Sequence, residues 1–338
     1  MIKVFIIDDA MLIRNSIKKI LNNEDDITVI GEAQNPVDAF IEFEKVGLPD
    51  VFILDIEMPK MDGLTFLKKI NIQKPIPTII CSSLVEKGSS KAIEALELGA
   101  CDIILKPKNI SQNFDNISEE FISKIKAANK SKSISSSPIN NKNLEALKKT
   151  NKIVAIGSST GGVQTLEKIL INLQPNHSPI LITQHMPAGF TTSFANRLNK
   201  LCPNSYIKEA SHGDSILSGQ ILIAPGDMHL EIKEDGYNKY KAVLKDYPKV
   251  SNHKPSVDVL FTSLSKEAKH NGVAILLTGM GKDGAIGIGK VQKANGITYG
   301  QNEETSIVYG MPKVAFTLGN IDKQIALDQV ANIINELR

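Results

Sequence analysis

The chain has 338 residues, with 39 Lys and Arg against 37 Asp and Glu and a formal net charge of +2 at pH 7. That length favours two domains, each able to bury an ordinary core. The near balance of charge leaves no electrostatic footprint for nucleic acid or for an anionic membrane.

Cys81, Cys101 and Cys202 are scattered without metal-ligand spacing, which suits a reducing compartment. The N-terminus meets Asp8-Asp9 before an apolar core long enough for a signal peptide has formed. No apolar run reaches membrane-spanning length. A cytoplasmic protein with no membrane insertion is expected.

From the start, apolar strands alternate with amphipathic helices. Strand Val4–Ile7 ends in Asp8-Asp9, and a helix follows over about Met11–Asn22. Strand Thr28–Gly31 precedes a helix over Pro36–Lys45, where Pro36 suits a helix start. Strand Val51–Leu54 ends at Asp55; Asp62-Gly63 signals a turn before a helix over Leu64–Ile70. Strand Thr78–Cys81 ends in Ser82-Ser83, and a helix over Ser90–Leu98 stops at Gly99. Strand Asp102–Leu105 ends at Lys106-Pro107, before a last helix over about Ser118–Ala128.

Five β-then-α units predict an α/β domain with a doubly wound parallel sheet, a (βα)5 arrangement of flavodoxin type. Ligands in such folds bind beyond the carboxyl ends of the strands, where Asp8, Asp9, Asp55, Ser82 and Lys106 fall. Three carboxylates in one pocket repel one another, and a hard cation such as Mg²⁺ relieves that. Lys106 and Ser82 are placed to hold a phosphoryl group. Each aspartate taken alone reads equally well as a helix cap, but that does not account for a lysine and a serine at the same edge.

The stretches Asp8-Asp9, Leu54-Asp55-Ile56-Glu57-Met58-Pro59-Lys60-Met61-Asp62-Gly63, Ser82-Ser83 and Lys106-Pro107 resemble the receiver domain of two-component response regulators. The resemblance implies that Asp55 is the phosphoacceptor and that Asp8 and Asp9 join it in binding Mg²⁺. It further implies that Ser82 is the switch hydroxyl, that Lys106 contacts the phosphoryl group through a loop with a cis Lys106-Pro107 bond, and that a histidine kinase is the phosphodonor.

Residues 129–143 are polar and nearly featureless, the composition of a flexible linker, and a short helix over Leu144–Lys149 is expected after them. The expected division is a receiver over 1–125, a linker over 126–150 and a second domain over 151–338.

The second domain opens with a strand over Lys152–Ile156, the turn Gly157-Ser158-Ser159-Thr160-Gly161-Gly162 and a helix over Val163–Leu170. The turn fits G-x-S-x-G, with Ser159 at the centre of a nucleophile elbow. Gly/Ser-rich turns also cap helices or hold phosphates, but no P-loop lysine follows and the dinucleotide spacing is absent.

Strand Pro179–Thr183 then runs into Gln184-His185-Met186-Pro187, followed by a helix over Thr191–Leu201. Weaker strands are expected at Tyr206–Lys208 and Gln220–Ala224, and a polar hairpin over Leu230–Leu244 around Asp235-Gly236. A helix over Val257–Lys269 precedes the apolar strand Val273–Leu277 and the turn Thr278-Gly279-Met280-Gly281-Lys282-Asp283-Gly284. Strand Ile297–Gly300, a helix near Pro312–Leu318 and a terminal helix over Gln324–Leu337 complete a second, Rossmann-like α/β domain with a mainly parallel sheet.

Three strand ends thus carry Ser159, His185 and Asp283, and a parallel sheet gathers such ends along one edge. A serine hydroxyl needs a histidine to take its proton, and that histidine needs a buried carboxylate to orient it. The order Ser, His, Asp differs from that of α/β-hydrolases. His212, His229 and His253 sit in polar, loop-like contexts; His229 and His253 could instead line a pocket. Asp258 reads as a helix cap.

Beyond Lys152 the chain is similar to the catalytic domain of the chemotaxis protein-glutamate methylesterase family, CheB. The resemblance rests on Ile156–Gly162, Gln184-His185-Met186-Pro187, Pro255–Phe261, Leu277–Gly284 and Tyr309-Gly310-Met311-Pro312. It implies a triad of Ser159, His185 and Asp283, with Thr160 and Met280 flanking the pocket and no cofactor for the esterase step. It also implies methyl-accepting chemoreceptors as substrate and deamidation of receptor glutamines as a second activity. Asn252-His253-Lys254 departs from the more arginine-rich segment expected before Pro255.

A receiver joined to an esterase by a flexible linker suggests that the unphosphorylated receiver covers the Ser159 face and that phospho-Asp55 weakens that interface. The alternatives are a response regulator whose second half only binds a partner, and the same hydrolase serving a signalling system other than chemotaxis.

Overall fold

Short runs of β-branched and aromatic residues fold here as strands buried on both faces, the pattern of parallel sheets covered by helices. The computed structural model describes residues 1–82, 91–92, 94–96, 98–106, 118–131 and 151–337. It divides into two units, Met1–Ser135 and Ser136–Arg338.

The first unit contains β1 (Ile2–Ile7), α1 (Met11–Leu21), β2 (Ile27–Ala33), α2 (Pro36–Val46), β3 (Val51–Leu54), α3 (Gly63–Gln73), β4 (Thr78–Ser82), β5 (Asp102–Leu105) and α4 (Ser118–Ser131). Its strands pair in the order β2-β1-β3-β4-β5, all parallel. Alternate residues face opposite sides. Val4, Ile6, Val51 and Ile53 pack with Ile13, Ile17, Phe121 and Ile125. Phe5 and Phe52 join Phe40, Phe43 and Phe66 in a ring cluster with centroids 4.8–6.5 Å apart. The Phe5 ring has a local cost: a Cβ at Gly31 would stand 2.5 Å from it. There β2 takes one extra residue, so that Val4 pairs with Val29 but Phe5 with Gly31.

Helix starts follow their capping residues. Asn35 accepts from the Val37 and Asp38 N–H groups ahead of Pro36, and Asp62 accepts from Thr65. Helix α4 continues to Ser131, so residues 126–131 of the expected linker are helical. The remainder of that linker, the expected helix over Leu144–Lys149, Ser83 and Pro107 lie outside the described residues. Of the helix expected over Ser90–Leu98, residues 91–92 and 94–96 are described and helical.

The second unit contains β6 (Ile153–Ser158), α5 (Gly162–Leu170), β7 (Ile180–Gln184), α6 (Phe190–Leu201), β8 (Tyr206–Glu209), β9 (Gln220–Ile223), β10 (His229–Glu234) and β11 (Tyr240–Lys245). It continues with α7 (Val257–Glu267), β12 (Gly272–Leu276), α8 (Ala285–Lys293), β13 (Ile297–Gln301), α9 (Met311–Thr317), β14 (Lys323–Ile325) and α10 (Leu327–Glu336). Seven strands form one parallel sheet, β14-β13-β12-β6-β7-β9-β8.

The antiparallel hairpin β10–β11 forms a separate two-stranded sheet. It is polar on one face only, because Leu230, Ile232, Tyr240 and Ala242 are buried in the core that α7 and α8 share. The terminal helix expected over Gln324–Leu337 divides into β14, which extends the sheet edge, and α10. Helix α8 was not among the expected elements.

Candidate active site

In the first unit the strand ends bring Asp8, Asp55 and Lys106 together. Lys106 Nζ lies 2.6 Å from Asp55 Oδ2 and 2.8 Å from Asp8 Oδ2. Ligand atoms of Asp8, Asp9 and Asp55 all lie within 4.8 Å of one another, with Asp9 exposed and the other two buried. Ser82, the last residue of β4, is buried at the same sheet edge. Burial pushes the Asp55 carboxyl up to about 6; Lys106 opposes the shift and the Asp8 charge adds to it. Burial likewise raises Asp8 against the pull of Lys106. Burial works against the Lys106 ammonium, but Asp55 and Asp8 outweigh it and raise its pKa.

Gly63, expected as part of a turn, has a tighter role. It is the first residue of α3, and a Cβ there would stand 2.1 Å from the Asp55 carbonyl oxygen. The absent side chain lets the helix start close behind the Asp55 loop.

In the second unit Ser159 follows β6 and His185 follows β7. The left-handed φ of +77° at Gly161 turns the chain into α5. Ser159 Oγ lies 3.1 Å from His185 Nδ1, and His185 Nε2 lies 2.7 Å from Asp283 Oδ2. Gln184 ties the two loops together: its Oε1 accepts from Ser158 Oγ at 2.6 Å, and its Nε2 donates to the carbonyls of Ser159 and His185 at 2.9 and 3.2 Å. A Cβ at Gly162 would stand 2.0 Å from Gln184 Oε1, so this glycine makes room for the brace. The β12 loop approaches equally closely, since a Cβ at Gly279 would stand 2.8 Å from Ser159 Cβ. Met280 follows Gly279 and is half-buried, while the Thr160 carbonyl accepts from Thr278 Oγ1 at 3.0 Å.

Asp283 sits on the N-terminus of α7. Its Oδ1 accepts from Ser256 Oγ at 2.7 Å and from the Asp258 N–H at 3.0 Å, and its Oδ2 accepts from the Val257 N–H at 2.8 Å. Burial pushes this carboxyl up, but the His185 contact, the Asp258 N–H and the Ser256 hydroxyl outweigh it and hold it below the usual carboxylate value. An ionised acceptor and a fixed imidazole result, with Nε2–H donating to Asp283 and Nδ1 left facing the serine hydroxyl. Such a line can deprotonate Ser159 as its oxygen attacks a carbonyl carbon.

Asp258 is a cap, though not of its own helix. Its Oδ1 accepts from the Ile286 and Gly287 N–H groups of α8, at 3.1 and 2.6 Å. The two helices therefore exchange aspartates: Asp283, just before α8, holds the start of α7, and Asp258 on α7 holds the start of α8.

A family model for CheB methylesterase matches residues 154–334. The chain belongs to the CheB methylesterase family. A second model, for the response regulator receiver domain, matches residues 4–117. The protein-glutamate methylesterase/protein-glutamine glutaminase of Methylobacillus flagellatus is 43% identical, over 97% of this chain and 94% of its own length. A protein of the same name, numbered 3, from Leptospira interrogans is 45% identical over 98% of each chain. The crystal structure of the Thermotoga maritima CheB methylesterase catalytic domain superposes with a TM-score of 0.53 at 39% identity, covering 55% of this chain and 98% of that one.

Several residues that shape this CheB site are given no single role by the sequence. Ser256 lay within a quoted motif, but only the fold shows its hydroxyl on Asp283. His229, which the sequence leaves open between surface and pocket, is fully buried, accepts the Ser256 N–H on Nδ1 at 3.3 Å and meets the Pro248 carbonyl through Nε2 at 3.2 Å. His253 stacks on His185. His212 is a structural acceptor for the Leu244 N–H.

Burial lowers the pKa of His229, and also that of His177, which is bonded to the Ser178 carbonyl and to Ser205 Oγ. The unfolded chain binds protons at these imidazoles near pH 6.5, whereas the folded chain takes them up only at lower pH. Their contribution to stability is therefore complete above about pH 6.5 and is lost as pH falls toward the folded values. The unfolding midpoint of the catalytic unit is expected to fall between pH 7 and pH 5, and less steeply in His177→Gln. Equal slopes for the two proteins in a calorimetric series would contradict this account.

Proposed function

We propose that this protein hydrolyses methyl esters of glutamyl side chains on methyl-accepting chemoreceptors, in the cytoplasm, under control of phosphorylation at Asp55. By the same acyl chemistry it deamidates receptor glutamines. The observation that carries the reading is the line from Ser159 Oγ through His185 to Asp283, with contacts of 3.1 and 2.7 Å.

Ser159 Oγ attacks the ester carbonyl carbon while its proton passes to His185 Nδ1. The negative charge moves to the carbonyl oxygen. The Ser159 N–H is bonded to the Thr278 carbonyl, so the Thr160 and Gly161 N–H groups at the start of α5 are the donors assigned to that oxygen. Each such donor is worth about 10²–10³ in rate. The C–O bond to the methoxy group then breaks, and His185 returns the proton to release methanol. Water, deprotonated by His185, attacks the acyl-enzyme carbon; Ser159 leaves with the proton and the product is a glutamate. Thr160 and Met280 border the acyl site.

In the receiver, Asp8, Asp9 and Asp55 would hold Mg²⁺. The donor set fits: three carboxylates converge, with ligand atoms all within 4.8 Å of one another, the hard oxygen ligands such a cation takes. When bound, the cation neutralises the carboxylates and the oxygens of an incoming phosphoryl group. Asp55 takes that group from a histidine kinase; Lys106 neutralises charge beside it, and Ser82 supplies a hydroxyl. Among the described residues no helix is long and apolar enough to cross a membrane.

Methanol release from methylated receptor membranes tests the reading. A small acyl phosphate with Mg²⁺ is expected to stimulate release by the wild type. Asp55→Asn should keep the basal rate and lose the stimulation, as should the wild type in chelator. No release by the wild type in either condition would overturn the proposal.

A further inference from the structure

We propose that His253 is a positioning residue for His185: its ring covers one face of the His185 imidazole and fixes the plane in which the proton moves. The proposal rests on His185 being the base. The two rings lie parallel, with centroids 3.6 Å apart and an interplanar angle of 10°. His185 already has both nitrogens engaged in the ring plane, one toward Ser159 and one toward Asp283. Those contacts fix where the edge of the ring points, but they leave it free to tilt about the line joining them. A flat group laid on the face removes that tilt.

The mount is stiff. His253 closes a two-residue turn in which the Val250 and His253 N–H groups donate to each other's carbonyls at 3.1 and 2.9 Å. Ser251 and Asn252 between them have left-handed φ values of +51° and +66°, the geometry of a tight hairpin turn. Ser251 Oγ donates to Asp258 Oδ2 at 3.0 Å, and Lys254 Nζ meets Asp246 Oδ1 at 2.5 Å. The turn is thereby fastened to Asp258, which also caps α8 beside Asp283. Ring, turn and carboxylate seat share one support.

The stack also acts during the reaction. As Ser159 Oγ bonds to the ester carbon, its proton moves to Nδ1 and His185 becomes a cation. A cation placed over an aromatic face is attracted by the ring quadrupole. A flat aromatic ring at position 253 supplies both effects; a methyl group supplies neither.

The test uses the full chain with His253→Ala and His253→Phe. Two readouts are compared with wild type: kcat and KM for methanol release, and the low-field proton resonance of the His185 Nε2–H to Asp283 hydrogen bond, recorded without substrate. In His253→Ala, kcat is expected to fall about tenfold with KM changed by less than about twofold, and the resonance to broaden. In His253→Phe, most of kcat and a sharp resonance should return. An alanine variant with unchanged kcat and an unchanged resonance overturns the proposal. So does a rise in KM alone, which would make His253 a substrate contact, or a phenylalanine variant as impaired as the alanine one. Because the resonance needs no ester, it tests the stacking even if the wild type released no methanol, so the two readings fail separately.

Discussion

Ser159→Ala is expected to bring methanol release down to the level of enzyme-free membranes, a loss of at least about 10⁴-fold in kcat. The reason is local. Ser159 Oγ has one hydrogen-bond partner of note, His185 Nδ1, and every other tie of this residue is made through its own backbone N–H and carbonyl. The Ser159 N–H bonds to the Thr278 carbonyl, its own carbonyl accepts from Gly162, and Gln184 braces the turn from the side. Removing one oxygen atom therefore leaves the elbow in place and removes the group that attacks. The unfolding midpoint should stay within a degree or two of wild type. Acyl phosphate with Mg²⁺ should still phosphorylate Asp55 in this variant while evoking no methanol, which separates loss of chemistry from loss of the receiver. Residual release above background that remains responsive to acyl phosphate would show that another group attacks the ester.

Asp283→Asn should cost nearly as much, about 10⁴-fold in kcat, together with a loss of stability that Ser159→Ala does not show. Both carboxylate oxygens of Asp283 accept from two donors each: Oδ1 from Ser256 Oγ and the Asp258 N–H, Oδ2 from the Val257 N–H and His185 Nε2. An asparagine presents one acceptor and one NH₂. Turned one way, its NH₂ faces His185 and favours the wrong tautomer, with the proton on Nδ1 where the serine proton has to go. Turned the other way, its NH₂ faces Ser256 and the Asp258 N–H. Either way a buried donor opposes a donor, which costs on the order of 1–3 kcal/mol. Calorimetry and methanol release on the same preparation check both halves. An asparagine variant with wild-type activity would remove Asp283 from the reaction. Ser256→Ala, which deletes one of the four bonds, is a graded control and should lose far less.

The parts of the fold that were legible in the sequence are those where hydrophobic period and strand-end chemistry agree. The strand Val51–Leu54 has the expected bounds, and the elbow follows its strand as its glycines indicate. Elements that local pattern hides were missed. Helix α8 carries Gly287 and Gly289, which lower helix propensity. The packing requires them: a Cβ at Gly287 would stand 2.8 Å from Phe261 and 2.9 Å from the Asp258 carbonyl, and one at Gly289 would stand 2.5 Å from Asn320. Close approach to α7 at Gly287 and to Asn320 at Gly289 decides these residues, and the helix is held by tertiary contact. Strand β14 spans only Lys323–Ile325, too short to show alternation, and it exists because Tyr299, Gly300 and Gln301 offer it an edge.

The candidate site divides the same way. Residues at the strand ends were legible because a parallel sheet gathers its carboxyl ends. Ser256 was not, since it reaches the site from the α7 start, and for His253, on the turn before it, the sequence leaves surface and pocket both open. Asp258 reads as a cap from its position, but its partner helix is 28 residues further along.

The exchanged aspartates of α7 and α8 bear on how this enzyme comes apart. Each carboxylate holds the amides that begin the other helix, so fraying of either helix end frees an aspartate and uncaps the second helix in the same event. Amide protons at Val257, Asp258, Ile286 and Gly287 therefore belong to one cooperative opening unit and exchange with solvent together, although nearly thirty residues separate the two helix starts. Asp283 is a member of that unit. The local opening that releases these amides is also the one that unseats the carboxylate behind His185, so partial melting of this corner and loss of the proposed hydrolytic activity are a single transition.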